Sequence, residues 1–211
     1  MEQVIELESV VAVLGGFPAL AGVDFSVARG EIVLLQGPNG AGKTSLLRVC
    51  AGLLPIERGR GTILGIDVTS RREDVRPRVG YLGHANGLYL DLTVRQNVDF
   101  WASAVGVGRD EVDAAMSRMR IDGRLATVRA SQLSAGQRRR TALASLIVRR
   151  AEIWLLDEPH AGLDASGRDE IDDVLRSAVA SGATVVLASH EAERAVGLAH
   201  RVVTVDAGGA R

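Results

Sequence analysis

The apolar positions of this chain follow two different periods, and the switch between them marks its organisation. Residues 4–36 read as short strands. Val10 to Leu14 is apolar, and Val23-Asp24-Phe25-Ser26-Val27 alternates with period two, the pattern of a half-exposed strand. Gly15-Gly16 and Arg29-Gly30 supply turns between these segments. Ile32-Val33-Leu34-Leu35 is continuously apolar, and after a Gly-rich turn a helical pattern follows with Leu46, Leu47 and Cys50. Gly52 ends that helix and Pro55 prevents its resumption. Thr62-Ile63-Leu64 and Val79-Gly80-Tyr81-Leu82 are further predicted strands. The arginines between them, Arg71, Arg72, Arg76 and Arg78, read as a solvated surface.

From about residue 92 to 150 the period is helical. Thr93 with Gln96 forms a capping box, and Val94, Val98, Trp101 and Val105 fall on one face behind it. Asp110 opens a second helix that places Val112, Ala115, Met116 and Met119 together. Trp101 and these methionines read as core packing. Ser134 with Gln137 is another capping box, and it starts a helix with Ala142, Leu143, Leu146 and Ile147 inward. Arg138, Arg139 and Arg140 lie near its beginning. Ile153-Trp154-Leu155-Leu156 then reads as a fully buried strand. Asp164 caps a helix with Ile171, Val174, Leu175 and Ala178 inward, which ends at Gly182. A buried strand from Thr184 to Ala188, a short helix, and a strand from Arg201 to Val205 close the chain. Strands alternating with helices imply a parallel α/β core, here interrupted by a helical insertion.

Composition narrows the field of functions. With 211 residues there is room for one domain, or one domain carrying a subdomain. A net charge of −1 leaves no basic field to mark a nucleic-acid binder. The single cysteine, Cys50, excludes a disulfide within the chain and reads as a buried, inert thiol. No apolar run approaches the roughly 20 residues of a membrane span, and the N-terminus lacks the pattern of a signal peptide. The expectation is a cytosolic protein whose connection to a membrane comes through a partner.

The stretch Gly37-Pro38-Asn39-Gly40-Ala41-Gly42-Lys43-Thr44, running on into Ser45, sits between a strand and a helix, the context a phosphate-binding P-loop needs. Its glycines let successive N–H groups turn inward to phosphate oxygens, and the helix adds the positive end of its dipole. Lys43 can reach the β- and γ-phosphates, and the Thr44 hydroxyl can ligate Mg²⁺. Of 25 basic residues, 24 are arginine, so lysine has been kept only in this loop. The strand from Ile153 ends in Asp157-Glu158, as in a Walker B motif. Asp157 can hold Mg²⁺ through water, and Glu158 is free to polarise an attacking water. Carboxylates at the carboxyl end of a parallel strand stand where such sheets bind ligands.

Leu133-Ser134-Ala135-Gly136-Gln137 separates this chain from other P-loop proteins. It resembles the signature of ATP-binding cassette (ABC) ATPases, usually Leu-Ser-Gly-Gly-Gln, with Ala135 in place of the first glycine. Ala161-Gly162-Leu163-Asp164 resembles the D-loop of that family, His190 occupies the position of its switch histidine, and His84 stands where it usually has the glutamine of the Q-loop. An imidazole at position 190 can hydrogen-bond the γ-phosphate and the attacking water together, and His84 can face the metal. His160 and His200 have no such support and read as surface residues.

The resemblance covers essentially the whole chain. It implies an α/β fold of the P-loop NTPase class: a RecA-like core, an N-terminal antiparallel β subdomain, and an inserted α-helical subdomain at about 84–150 within a single cassette domain of residues 1–211. Core and β subdomain would comprise about 1–83 and 151–211. It also implies ATP and Mg²⁺ as cofactors and head-to-tail pairing, as a homodimer or with another ABC ATPase subunit, so that Ser134–Gln137 acts in trans. The implied place is peripheral, at the cytoplasmic face of a membrane, on transmembrane transporter subunits and without nucleic acid. The family often stacks adenine on an aromatic residue about where Leu14 stands; Leu14 cannot stack, and Phe17 reads as too far along.

Within the family, Gly83-His84-Ala85-Asn86-Gly87-Leu88, with Leu92-Thr93 and Asn97, resembles the ATP-binding subunits of cytochrome c maturation, often called haem exporters. Alternatives are a subunit of another exporter, for drugs or lipids, and a soluble ABC ATPase acting on DNA or ribosomes. A small-molecule kinase would have no reason to carry Leu133–Gln137.

Overall fold

A computed structural model describes residues 2–189, 192–206 and 209–210, with the side chains of residues 192 and 193 left aside. The chain forms two compact units: Met1–Tyr81 with Glu152–Glu158 and Val174–Arg211, and Leu82–Ala151 with Pro159–Asp173.

In the first unit, strands β1 (Gln3–Leu14) and β2 (Phe17–Ala28) form a long antiparallel hairpin. The expected series of short strands is two strands of 12 residues instead. The physical reason is an irregularity after Leu7, where Ser9 takes a φ of 48° and its N–H donates to Asp24 Oδ1 at 2.7 Å. A bulge of this kind lets one strand bend without ending. β3 (Ile32–Gln36) leads through the Gly-rich turn into helix α1 (Lys43–Cys50). β4 (Arg58–Ile63) and β5 (Ile66–Asp67) complete a four-stranded sheet in the order β2-β1-β4-β5. β4 stops at Ile63 because Leu64 turns the chain with a φ of 51°.

A second sheet adds β6 (Val79–Leu82), then, after the helices of the other unit, β7 (Ile153–Asp157), β8 (Thr184–Ala188), β9 (Arg201–Asp206) and β10 (Gly209–Ala210). Its order is β10-β9-β3-β8-β7-β6, with β9, β3, β8 and β7 mutually parallel. α1 packs against strands of both sheets and buries Leu46, Leu47, Val49 and Cys50 between them. Burial pushes the Cys50 thiol up to about 12, so it stays protonated and inert. Arg76 and Arg78 are not simply solvated. Arg76 donates to the carbonyl of Gly52, and Arg78 grips Glu152 through two hydrogen bonds of 2.6 and 3.0 Å.

The second unit holds α2 (Val94–Val105), α3 (Arg109–Arg118) and α4 (Ala135–Arg149). Both capping boxes form, on Thr93 and on Ser134. The buried stripe of α2 is Val94, Asn97, Val98 and Ala102, while Val105 is exposed and Trp101 half-buried. Trp101 lies edge-on to Phe100 and beneath the guanidinium of Arg149, at 4.3 Å, so its ring is covered by a cation rather than by core. Asn97 is 2% exposed and bonds Tyr89 N, Tyr89 O and Thr93 O, which fastens the segment after β6 to α2. α5 (Ala165–Ala180) and α6 (Ala192–Leu198) complete the helices named here. No helix among the described residues is long and apolar enough to cross a membrane.

The Arg78–Glu152 pair makes stability depend on pH. Hydrogen bonds from Arg78 hold the Glu152 carboxyl below its ordinary value. Its contribution is therefore present above the unfolded value of about 4.3 and is lost as pH falls through the lower folded value. Glu152→Gln should cost no more than about 1 kcal/mol at neutral pH, because both partners are more than a third exposed. The melting difference from the parent should disappear in acid.

Candidate nucleotide site

The first unit builds a phosphate cradle at the carboxyl end of β3. Gly37, Gly40 and Gly42 have φ of 147°, 81° and 106°. These are left-handed values that residues with a Cβ rarely adopt. Close approach adds a second requirement at Gly37, where a Cβ would run into the carbonyl oxygen of Val205. Pro38, Asn39 and Gly40 are exposed at the tip of the turn, whereas Ala41, Lys43 and Ser45 are buried. The N-terminus of α1, capped by Gly42, has no side-chain cap, so its first N–H groups are not taken by one. Lys43 Nζ donates to the carbonyls of Gly37 at 2.7 Å and Pro38 at 3.0 Å, lying along the turn it belongs to.

Across from the cradle, β7 ends at Asp157. The parallel register pairs Leu34 with Leu187 and Leu156 with Leu187, so β3 and β7 flank β8 and end on the same side. Thr44 Oγ1 donates to Asp157 Oδ2 at 2.8 Å. A hydroxyl and a carboxylate this close are hard oxygen donors of the kind a small divalent cation takes alongside phosphate oxygens. Glu158 is half-buried and has a φ of 52°, and its N–H donates to Ala188 O at 2.9 Å. A non-glycine residue held in the left-handed region costs of order 1 kcal/mol or more and tends to mark a functional position. Tyr81 reports the same corner: burial raises its hydroxyl pKa, a hydrogen bond donated by Arg48 partly offsets this, and the Asp157 charge adds to the rise.

Leu14 and Phe17 are cross-strand partners, because Gly15 and Gly16, with φ of 60° and 84°, make a two-residue hairpin loop. Both are exposed, Phe17 at 77%, and partners in register share a face of the sheet. The two-residue turn thus sets Phe17 directly beside Leu14 rather than a further step along the strand. The Gly-Gly turn in the sequence was the signal that could have found it.

The second unit carries the other motif residues. Leu133 is buried, and Ser134 and Ala135 are exposed at the start of α4. Ser134 Oγ accepts from Gln137 N while Gln137 Oε1 accepts from Ser134 N. Gly136 needs to be glycine because a Cβ there would stand 2.8 Å from the Gly162 carbonyl oxygen. Ala135 in place of the usual glycine meets no such obstacle, being exposed. Asp164 Oδ1 accepts from Gly167 N at 2.9 Å and caps α5. His84 is exposed in the turn that follows β6. His190 lies outside the described residues.

Two residues depart from what their sequence suggests. His160 is not on the surface but 1% exposed and bonded to Asp172. Arg139, beside the solvated-looking Arg138 and Arg140, is 2% exposed and donates to Gly83 O. Nothing in the local pattern marks either burial, since Asp172 and Gly83 lie 12 and 56 positions away along the chain. His200 is exposed as expected, and its Nδ1 accepts from Ile32 N.

The sequence profile of the ABC transporter family matches residues 20–161. The chain belongs to the ABC transporter ATP-binding family. It is accordingly an ATPase subunit of the ABC type, built on the P-loop α/β fold with an antiparallel β sheet and a helical part. A cytochrome c biogenesis ATP-binding export protein of Paramagnetospirillum magneticum is 42% identical over 188 residues, covering 87% of this chain and 86% of its own. A daunorubicin resistance ATP-binding protein of Streptomyces coeruleorubidus is 41% identical over 199 residues, 92% of this chain and 62% of its own. Among solved structures, a dimeric bacterial ABC transporter cassette superimposes on the ABC ATPase with a TM-score of 0.89 at 25% identity, over 97% of this chain and 95% of that one.

The cradle geometry predicts the outcome of a one-carbon change. Gly37→Ala adds a Cβ against the Val205 carbonyl at a strained φ. It should weaken nucleotide binding in titration and lower stability by about 1–3 kcal/mol in thermal melting.

Proposed function

We propose that this chain is the ATP-hydrolysing subunit of a membrane export complex that serves cytochrome c maturation. The observation that carries the hydrolytic reading is the Thr44–Asp157 pair, 2.8 Å apart at the base of the Gly-rich turn and one residue before Glu158. In this reading the backbone of Gly37–Ser45 holds the phosphates of ATP, and Lys43 turns from the loop carbonyls to the β- and γ-phosphates. Thr44 and, through water, Asp157 would hold Mg²⁺. The ion, when bound, neutralises charge on the β- and γ-phosphate oxygens. Glu158 takes a proton from water as the water oxygen bonds to the γ-phosphorus, and the bond to the β-phosphate oxygen breaks to leave ADP and phosphate. His190 hydrogen-bonds the γ-phosphate, and His84 fills the place of the family's glutamine toward the metal. Phe17 supplies the ring against which adenine stacks.

Leu133, Ser134, Ala135, Gly136 and Gln137, with Asp164, complete the site of a second copy or a paired ABC ATPase subunit. The exposed, capped start of α4 supports this, since it offers a hydroxyl and N–H groups to an anion. The two units act as one cassette, seated on transmembrane subunits at the cytoplasmic face.

The export destination rests on the 42% identity to a protein named for cytochrome c biogenesis and on the Gly83–Leu88 segment. A drug exporter is the second reading, favoured by the 41% identity to a daunorubicin resistance protein. Deleting the gene decides between them: loss of covalently bound haem from c-type cytochromes supports the first, and unchanged cytochromes with new drug sensitivity support the second.

Glu158→Gln should keep ATP binding and lose turnover by about 10²- to 10⁴-fold in the assembled complex. Near-parent turnover in that variant removes Glu158 as the base. With ATP, the same variant should shift from monomer to dimer in light scattering, and adding Ser134→Arg should block the shift without weakening nucleotide titration. A fully active monomer would rule out the shared site.

A further inference from the structure

His160 and Asp172 are 1% and 5% exposed, and His160 Nε2 stands 2.8 Å from Asp172 Oδ1. With the Asp172 carboxylate as acceptor, Nε2 is the donor. Nδ1 is also buried and has no hydrogen-bond partner among the described residues. Taking an imidazole and a carboxylate out of water is unfavourable compared with packing an apolar ring in the same space. A pair retained under that cost is explained by the geometry it fixes.

That geometry is the turn between β7 and α5. The His160 carbonyl accepts from Leu163 N at 3.2 Å, and Asp164 Oδ1 accepts from Gly167 N at 2.9 Å, so the turn is closed at both ends. Between these anchors lies Gly162, with a φ of 78°. Its carbonyl oxygen is so near Gly136 that a Cβ there would stand only 2.8 Å away. A continuous path of contacts thus runs from Asp172 through His160 and the Gly162 carbonyl to the first turn of α4.

We propose that His160 is a positioning residue for ATP hydrolysis: held by Asp172, it sets the Ala161–Asp164 turn against Gly136 and thereby aims the Ala135 and Gly136 N–H groups, the two in Ser134–Gln137 that the capping box does not take. In this role the buried His160 acts through the turn and not on the nucleotide. The proposal rests on the reading that Ser134–Gln137 acts on the ATP of a second copy.

Two substitutions test it in the assembled complex. His160→Phe fills the space without an N–H, and His160→Gln puts an amide N–H where Nε2 stands. His160→Phe should lower turnover about ten- to a hundredfold, the scale of a small misplacement, with nucleotide titration of the isolated chain unchanged. His160→Gln should return turnover to near the parent level. Asp172→Leu should reproduce the His160→Phe split, and combining the two should add no further loss. Parent-level turnover in His160→Phe overturns the proposal, as does equal loss in both His160 variants or a loss that tracks weakened nucleotide binding. If His160→Phe and Asp172→Leu both fail to fold, the pair serves stability alone, which also overturns it. Failure of the shared-site reading is seen separately, as turnover of the otherwise unaltered chain that does not respond to Ser134→Arg.

Discussion

The structure depends on three parallel strands that leave no face to water. Every residue of β8 is buried, and β3 and β7 are buried up to their last residue. A polar side chain inside such a strand would lose its hydration without a partner. Polar chemistry can therefore begin only where the strands stop, and the parallel register makes β3, β8 and β7 stop on one side. Gln36, Asp157 and Ser189 are the first polar side chains beyond the apolar runs. The Gly-rich turn and Asp157 come together because the strands beneath them exclude everything else.

From that edge outward, control passes from burial to hydrogen bonding and backbone shape. Lys43 and Thr44 head the same helix, yet Lys43 folds onto the turn and Thr44 reaches Asp157. Glu158, one residue past Asp157, leaves the strand direction through a positive φ and is steadied by a backbone bond to Ala188. Two adjacent carboxylates are thereby given different surroundings. Under the proposed hydrolysis, that difference would let one serve a metal and the other a water.

The second unit manages polar groups by a different means. Its buried Asn97 and Arg139 spend their donors on backbone carbonyls in the segment after β6. Arg140 bonds Glu170 and Arg138 caps the carbonyls of Ala130 and Ser131. The arginine run at the start of α4, which a charge count would assign to solvent or an anion, is therefore partly an internal framework. Charge sequence alone does not reveal that, because every acceptor involved lies outside the helix.

The sequence by itself determined what depends on neighbours along the chain. Period-two and apolar runs located β6 through Val79–Leu82 and β7 up to Asp157, and the spacing of Thr93 with Gln96 and Ser134 with Gln137 specified capping boxes that form as written. The Gly-rich turn was legible because its glycines, lysine and threonine are contiguous. Only the tertiary structure decided matters that join distant residues. It merged the N-terminal strands into one hairpin through a bulge tied to Asp24, and it brought Phe17 opposite Leu14. It also set Thr44 against Asp157, 113 positions apart, and sank His160 beside Asp172. Local propensity is written in steps of two to four residues, whereas burial and long-range hydrogen bonds are properties of the packed chain.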